Sequence, residues 1–155
     1  VPYFKKLVAE GAKELPVTDL RMTRFWFTLE EGVDFVLKNF ARMQGGETFV
    51  PKIPSMRITD LVASFGEDIR PKVIGIRPGE KLHEVMVPAD AAYLTLEFHD
   101  HYVIKPTINY FEQIDYSVNP LGEKDGPVPE GFEYRSDNNP VFLTIDQLRE
   151  LNQKC

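Results

Sequence analysis

The feature that most constrains this chain is one sharply bounded helix. Thr28-Leu29-Glu30-Glu31 fits a capping box, in which the threonine hydroxyl and the glutamate carboxylate each satisfy a free backbone N–H at the helix start. Val33, Val36, Leu37 and Phe40 follow at helical spacing as an apolar face, and Gly45-Gly46 closes the helix. Short extended runs flank it: Arg21 to Phe27, rich in aromatics, Glu47 to Val50, halted by Pro51 and Pro54, then Met56 to Ile58 and Lys72 to Ile76. Residues 1–11 read as the end of an amphipathic helix stopped by Gly11, and Leu15-Pro16-Val17 as a strand before Thr18. Thr59 is expected to cap a helix through Phe65, and the turn Arg77-Pro78-Gly79-Glu80 to lead into a short helix from Lys81 to Met86. After Pro88 the expectation is strands at Tyr93–Phe98 and Tyr102–Ile104, then a surface loop over 119–131. A second capping box, Thr144-Ile145-Asp146-Gln147, starts a C-terminal helix through Leu148 and Leu151. The expected fold class is α/β, with mixed short strands and helices.

Composition narrows the function. With 155 residues, 43% of them hydrophobic, the chain is long enough to bury a core within a single domain. Its net charge of −6 repels a phosphate backbone, so nucleic-acid binding is not expected, and an anionic ligand must be held by locally placed arginines. The single cysteine, Cys155, excludes an internal disulfide framework and a cysteine-based zinc site and makes a reducing cytoplasm the default compartment. No apolar run approaches the ~18 residues of a membrane span, and no signal-peptide pattern is present. Val1-Pro2-Tyr3-Phe4 reads as the middle of an element, so a fragment lacking its N-terminal part is expected.

The sequence lacks a Gly-x-Gly-x-x-Gly loop, a phosphate-binding Gly-x-x-x-x-Gly-Lys-Ser/Thr loop, a Gly-x-Ser-x-Gly elbow and a His-Glu-x-x-His pair. His99 and His101 would share a strand face and form a conceivable metal pair, but without a spaced third ligand a solvated turn is the better reading, and no metal is expected. Arg21, Arg24 and Arg57 lie beside short apolar strands, and Arg77 stands on the Pro-Gly turn. The planar guanidinium fork matches phosphate oxygens two at a time, which suits such positions to a diphosphate. Glu80, across the turn, can accept hydrogen bonds from sugar hydroxyls or begin a helix as an N-terminal carboxylate. Phe25-Trp26-Phe27 reads as core, though a base-stacking platform is open to it, and Glu123-Lys124-Asp125 as a solvated loop.

Three blocks carry a resemblance across essentially the whole chain. They are Met22-Thr23-Arg24-Phe25-Trp26, then Gly45-Gly46-Glu47-Thr48-Phe49-Val50-Pro51-Lys52-Ile53-Pro54-Ser55-Met56-Arg57-Ile58, and Gly75-Ile76-Arg77-Pro78-Gly79-Glu80-Lys81-Leu82-His83-Glu84. They resemble the C-terminal half of the inverting UDP-N-acetylglucosamine 4,6-dehydratases, a family of the extended short-chain dehydrogenase/reductase superfamily that starts pseudaminic acid synthesis. The Pro-Lys-Ile-Pro-Ser-Met-Arg-Ile block favours the inverting enzymes, since retaining dehydratases and other polysaccharide-synthesis relatives share Arg-Pro-Gly-Glu-Lys-Leu.

The resemblance implies the substrate-binding portion of an enzyme whose N-terminal Rossmann domain, absent here, holds NADP. Its reaction would oxidise UDP-N-acetylglucosamine at C4, eliminate water across C5 and C6 and return the hydride to C6 with inversion at C5, yielding a UDP-4-keto-6-deoxy-L-sugar for surface polysaccharide or flagellin glycan. Catalytic residues are expected upstream of Val1: none of the six tyrosines has a lysine four positions on, and no Asp-Lys dipeptide occurs. By the same resemblance Arg24 and Arg77 would bind the diphosphate, Glu80 the ribose and Thr18 the region of the uracil, while Val1 would follow the sugar-binding loop. A homo-oligomer is the expected state of the full-length form. The alternatives are a fragment of another nucleotide-sugar dehydratase or epimerase, and a non-catalytic nucleotide-sugar-binding or interaction module.

Overall fold

The expected alternation is present in the computed structural model, which describes residues 1–108 and 114–154. In chain order its elements are α1 (Pro2–Ala9), β1 (Glu14–Val17), β2 (Thr23–Phe25), α2 (Leu29–Phe40), β3 (Thr48–Pro51), β4 (Ser55–Arg57), α3 (Ile58–Ala63) and β5 (Arg70–Val73). Then come β6 (Val85–Val87), a 3-10 turn at Ala89–Leu94, β7 (Thr95–Glu97), β8 (His101–Ile104), β9 (Gly126–Pro127), β10 (Tyr134–Arg135) and α4 (Ile145–Lys154). They gather into two compact units. The first takes Val1–Trp26, Pro54–Glu84 and the chain from Ser136 onward, and the second takes Phe27–Ile53 and Val85–Arg135.

In the first unit β1 and β5 pair in parallel, Val17 opposite Val73, and β2 pairs antiparallel with β4, Arg24 opposite Met56. Leu15, Val17, Val62 and Ile69 form one buried cluster, closed by Phe4 and Leu7 of α1. Met56, Leu61 and Leu148 form another, with Trp26 against it. Leu15, Val62 and Leu148 are fully buried, each worth about 1.5–3 kcal/mol relative to exposure. The core reading of the aromatic run therefore holds for Phe25 and Trp26 and fails for Phe27, which is 47% exposed.

In the second unit β3, β8, β7 and β9 form an antiparallel sheet in that order, and β6 pairs with β10. Tyr134, buried, ties β10 to the end of β3: its hydroxyl donates to the Ile53 carbonyl and accepts from the Ile53 N–H, both at 2.9 Å. The Thr28 capping box is fully formed, with the Thr28 N–H on Glu31 Oε2 at 2.6 Å and the Glu31 N–H on Thr28 Oγ1 at 3.2 Å. The apolar face of α2 is exposed, with Leu37 at 61% and Phe40 at 66%.

Several expectations are corrected. Residues 81–86 are not a helix: the carbonyls of Lys81 and Leu82, which a helix would use internally, accept from Arg24, and Val85-Met86-Val87 takes up strand pairing with β10. Thr59 does not cap α3. Arg57 stands at that position without a side-chain cap bond, and the Ile58 N–H is already bonded to the Met22 carbonyl. The strand expected at 72–76 runs instead over Arg70–Val73, set by its parallel register with β1, and Gly75 at φ +89° turns the chain away. His99 and His101 do not share a strand face, because His99 lies in the turn before β8. Within 119–131, β9 pairs with β7, and Asn119 and Val128 are buried. Cys155 lies outside the described residues.

Candidate nucleotide-sugar site

After β5 the first unit makes a tight turn. Gly79 at φ +83° follows Pro78, and the Glu80 N–H reaches the Arg77 carbonyl at 3.0 Å, the geometry of a type II turn for which glycine is the natural third residue. Glu80 is fixed from two sides. Its Oε2 accepts from the Arg77 N–H at 3.3 Å, and its Oε1 accepts from the Thr18 hydroxyl at 3.1 Å. Arg77 is exposed, and among the described residues its guanidinium has no ion-pair partner. An exposed arginine on a tight turn that also carries a fixed carboxylate can take an anion such as a phosphate and a neighbouring hydroxyl.

Arg24 comes to the same loop from β2, but with most of its donors engaged. Nη1 donates to the carbonyls of Thr23 (2.7 Å) and Leu82 (3.0 Å), Nη2 donates to the carbonyl of Lys81 (3.0 Å), and Nε lies 3.7 Å from Glu84 Oε1. The second Nη2 proton faces only the Met22 sulfur at 4.0 Å. Thr18, Arg24, Arg77 and Glu80 are thus gathered around one segment, residues 77–84. Val1 is placed elsewhere, its side chain against the Met56–Leu148 cluster and its carbonyl on the Lys5 N–H.

The other arginines weighed in the sequence have internal partners. Arg21 makes a two-pronged pair with Asp19, at 2.9 and 2.7 Å. Those hydrogen bonds, with a further one from the Arg21 N–H, lower the Asp19 carboxyl to about 2. Arg57 reaches Asp60 at 3.5 Å and lies 4.4 Å over the Phe142 ring.

Sequence reading also missed a residue in the second unit. Arg42 is 1% exposed and donates to both Asp100 oxygens at 2.9 and 3.0 Å and to both Glu123 oxygens at 2.8 Å. Glu123 is therefore no mere member of a solvated charge cluster, and its hydrogen bond from Arg42 lowers its pKa. Burial alone would raise the Asp100 carboxyl, but hydrogen bonds from Lys38, His101 and Arg42 outweigh it and hold the group far below the usual carboxylate range. His101 is fully buried and stacked on Phe98 with ring centroids 4.6 Å apart, and its burial lowers its pKa despite the Asp100 contact. No cluster of three or more metal-ligating side chains occurs among the described residues.

The family described as "Polysaccharide biosynthesis protein" matches residues 1–106. The chain belongs to that family. Among polysaccharide biosynthesis proteins and their relatives, it is 56% identical over 152 residues to a Campylobacter jejuni protein named UDP-N-acetylglucosamine 4,6-dehydratase (inverting), a match covering 97% of this chain and 46% of that one. It is 37% identical over 117 residues to an uncharacterized membrane protein of Methanocaldococcus jannaschii, covering 68% of this chain and 35% of that one. Among solved structures it is similar to Pen from Bacillus thuringiensis, with a TM-score of 0.76 and 28% identity over 99% of this chain and 45% of that one. The chain spans about half the length of the curated relatives it matches. Among the described residues no helix is long and apolar enough to cross a membrane. The α/β class and the resemblance to the inverting dehydratases both hold against these findings.

Proposed function

We propose that this chain is the substrate-binding portion of an inverting UDP-N-acetylglucosamine 4,6-dehydratase that works in the cytoplasm on the way to pseudaminic acid, as a homo-oligomer in its full-length form. The observation that carries the reading is the 56% identity, spread over 97% of the chain, to a protein of that name. The turn at 77–80 adds a physical reason. Arg77 offers a free guanidinium to the diphosphate, Glu80 offers a carboxylate to the ribose hydroxyls, and Thr18, bonded to Glu80, stands beside the base. Arg24 contributes its remaining Nη2 proton to the diphosphate while its other donors hold the loop. Val1, which lies apart from the 77–84 segment against the Met56–Leu148 cluster, belongs in this reading to the stretch that follows the sugar-binding loop.

The residues present do not fit NADP, because the chain has no glycine-rich dinucleotide loop. NADP would be held by the part of the relatives' length that this chain does not span, where it would supply the hydride chemistry at C4 and C6. This chain's own residues bind and orient the nucleotide. With no correctly spaced tyrosine and lysine, the chain alone turns nothing over.

The test is to incubate the complete gene product with NADP and UDP-N-acetylglucosamine and to analyse the product by NMR. A UDP-4-keto-6-deoxy sugar inverted at C5 is expected. A product epimerised at C4 without loss of water would replace the reading with an epimerase.

A further inference from the structure

Behind the Arg77–Glu80 turn, the first unit contains a chain of polar groups that neither the sequence reading nor the substrate contacts explain. The Glu84 N–H donates to Ser136 Oγ at 2.9 Å, and the Ser136 N–H returns a bond to the Glu84 carbonyl at 2.9 Å. Ser136 Oγ lies 2.7 Å from Thr23 Oγ1, which lies 2.8 Å from His83 Nδ1. His83 Nε2 in turn lies 3.8 Å from Asp137 Oδ2. On the same strand the Thr23 N–H holds the Leu82 carbonyl at 3.1 Å, and the Phe25 N–H holds Glu84 Oε2 at 2.8 Å. Ser136 is completely buried and Thr23 is 6% exposed, so water does not compete for these bonds.

The proton count fixes a direction. Ser136 and Thr23 have one hydroxyl proton each, and Ser136 Oγ already accepts from Glu84. If a neutral His83 carried its proton on Nδ1, Thr23 would accept from it, and one of the two hydroxyl protons, that of Ser136 or that of Thr23, would have no acceptor among the described residues. With the proton on Nε2, Ser136 donates to Thr23, Thr23 donates to Nδ1, and Nε2–H faces Asp137. Both hydroxyl links then have one donor and one acceptor and run the same way, with Asp137 Oδ2 3.8 Å from Nε2 as a charge partner only.

We infer that Thr23, Ser136 and His83 are positioning residues, a one-directional hydrogen-bonded latch that fixes residues 81–84 to β2 and so presets the turn bearing Arg77 and Glu80 for a uridine diphosphate sugar. The inference rests on the proposed function for its ligand but not for its geometry, and the two can fail separately.

The experiment uses the complete gene product. In the wild type, at a pH where the ¹⁵N spectrum shows the His83 ring neutral, that spectrum is expected to show the Nε2–H tautomer. The Nδ1–H tautomer overturns the latch, and this readout stands even if a variant fails to fold. Thr23→Val keeps the shape and removes the hydroxyl. It should speed amide exchange at 81–84 about tenfold and raise the KM for UDP-N-acetylglucosamine about tenfold with kcat unchanged, while exchange at Leu15, Val62 and Leu148 stays at wild-type rates. Thr23→Ser should restore both. Wild-type exchange at 81–84 in Thr23→Val overturns the latch. An unchanged KM there, when Arg77→Ala does raise KM, overturns the positioning role. An unchanged KM in Arg77→Ala itself counts against the proposed function and leaves the exchange result to judge the latch.

Discussion

Each unit is organised around arginine, to opposite ends. Arg42, in the second unit, is buried and spends its guanidinium on Asp100 and Glu123, so that nothing of its charge is left for a ligand. Arg77, in the first unit, stands exposed on a type II turn whose carboxylate, Glu80, is bonded to the Arg77 backbone and to Thr18 instead of to the guanidinium. Arg24 lies between these extremes, with most donors on backbone carbonyls and one Nη2 proton on the Met22 sulfur alone, at 4.0 Å. A charge with its counter-charges built in serves structure, and an exposed charge without one is available for recognition. Burial and partner count separate the two roles where residue type cannot.

The contrast is broken most forcefully at Arg42. Arg42→Met leaves Glu123 without its cation and Asp100 with Lys38 alone, and should cost about 3–5 kcal/mol of stability, read from denaturant melts, with UDP affinity unchanged in the protein that remains folded. Arg77→Ala should do the reverse, weakening UDP binding by about 1.5–3 kcal/mol by calorimetric titration while the melt does not move. Arg24→Lys should lower both, because a point charge can hold neither the three carbonyls nor a phosphate edge in the same geometry.

Two smaller effects sharpen the comparison. Thr28→Ala should cost about 0.5–2 kcal/mol through the lost cap, without change in affinity. The Asp100 carboxyl has a depressed pKa in the folded state, so its contribution to stability is complete above its unfolded value of about 3.9 and is lost as the pH falls through the lower folded value. Thermal melts of the wild type should therefore lose stability below about pH 4 more steeply than melts of Asp100→Asn, which has no such proton to take up.

What the sequence disclosed and what it hid follow the range of the interactions. Both capping boxes are read correctly because all their atoms lie within one helical turn: Thr144 and Gln147 exchange the same pair of bonds as Thr28 and Glu31. The Pro78-Gly79 turn is local too, and it forms as expected, with Arg77 and Glu80 at its two ends. Lys81 to Met86 misleads because its own pattern allows a helix, and what prevents one is Arg24, 57 and 58 residues away, together with β10. Arg42 follows the end of α2 with only Asn39 near it in sequence, and its acidic partners come from the β7–β8 turn and from residue 123. Ser136 meets Thr23 across 113 residues, and no periodicity or motif links them.

The central claim, that the first unit receives the nucleotide through the 77–84 segment, is tested most directly by amide exchange of the complete gene product with and without saturating UDP. Protection is expected at residues 18–24 and 77–84, with exchange around Lys38 to Gln44, Phe98 to His101 and Asn119 to Asp125 left as in the free protein. Protection centred on Arg42, Asp100 and Glu123, with 77–84 exchanging as freely as before, would contradict it.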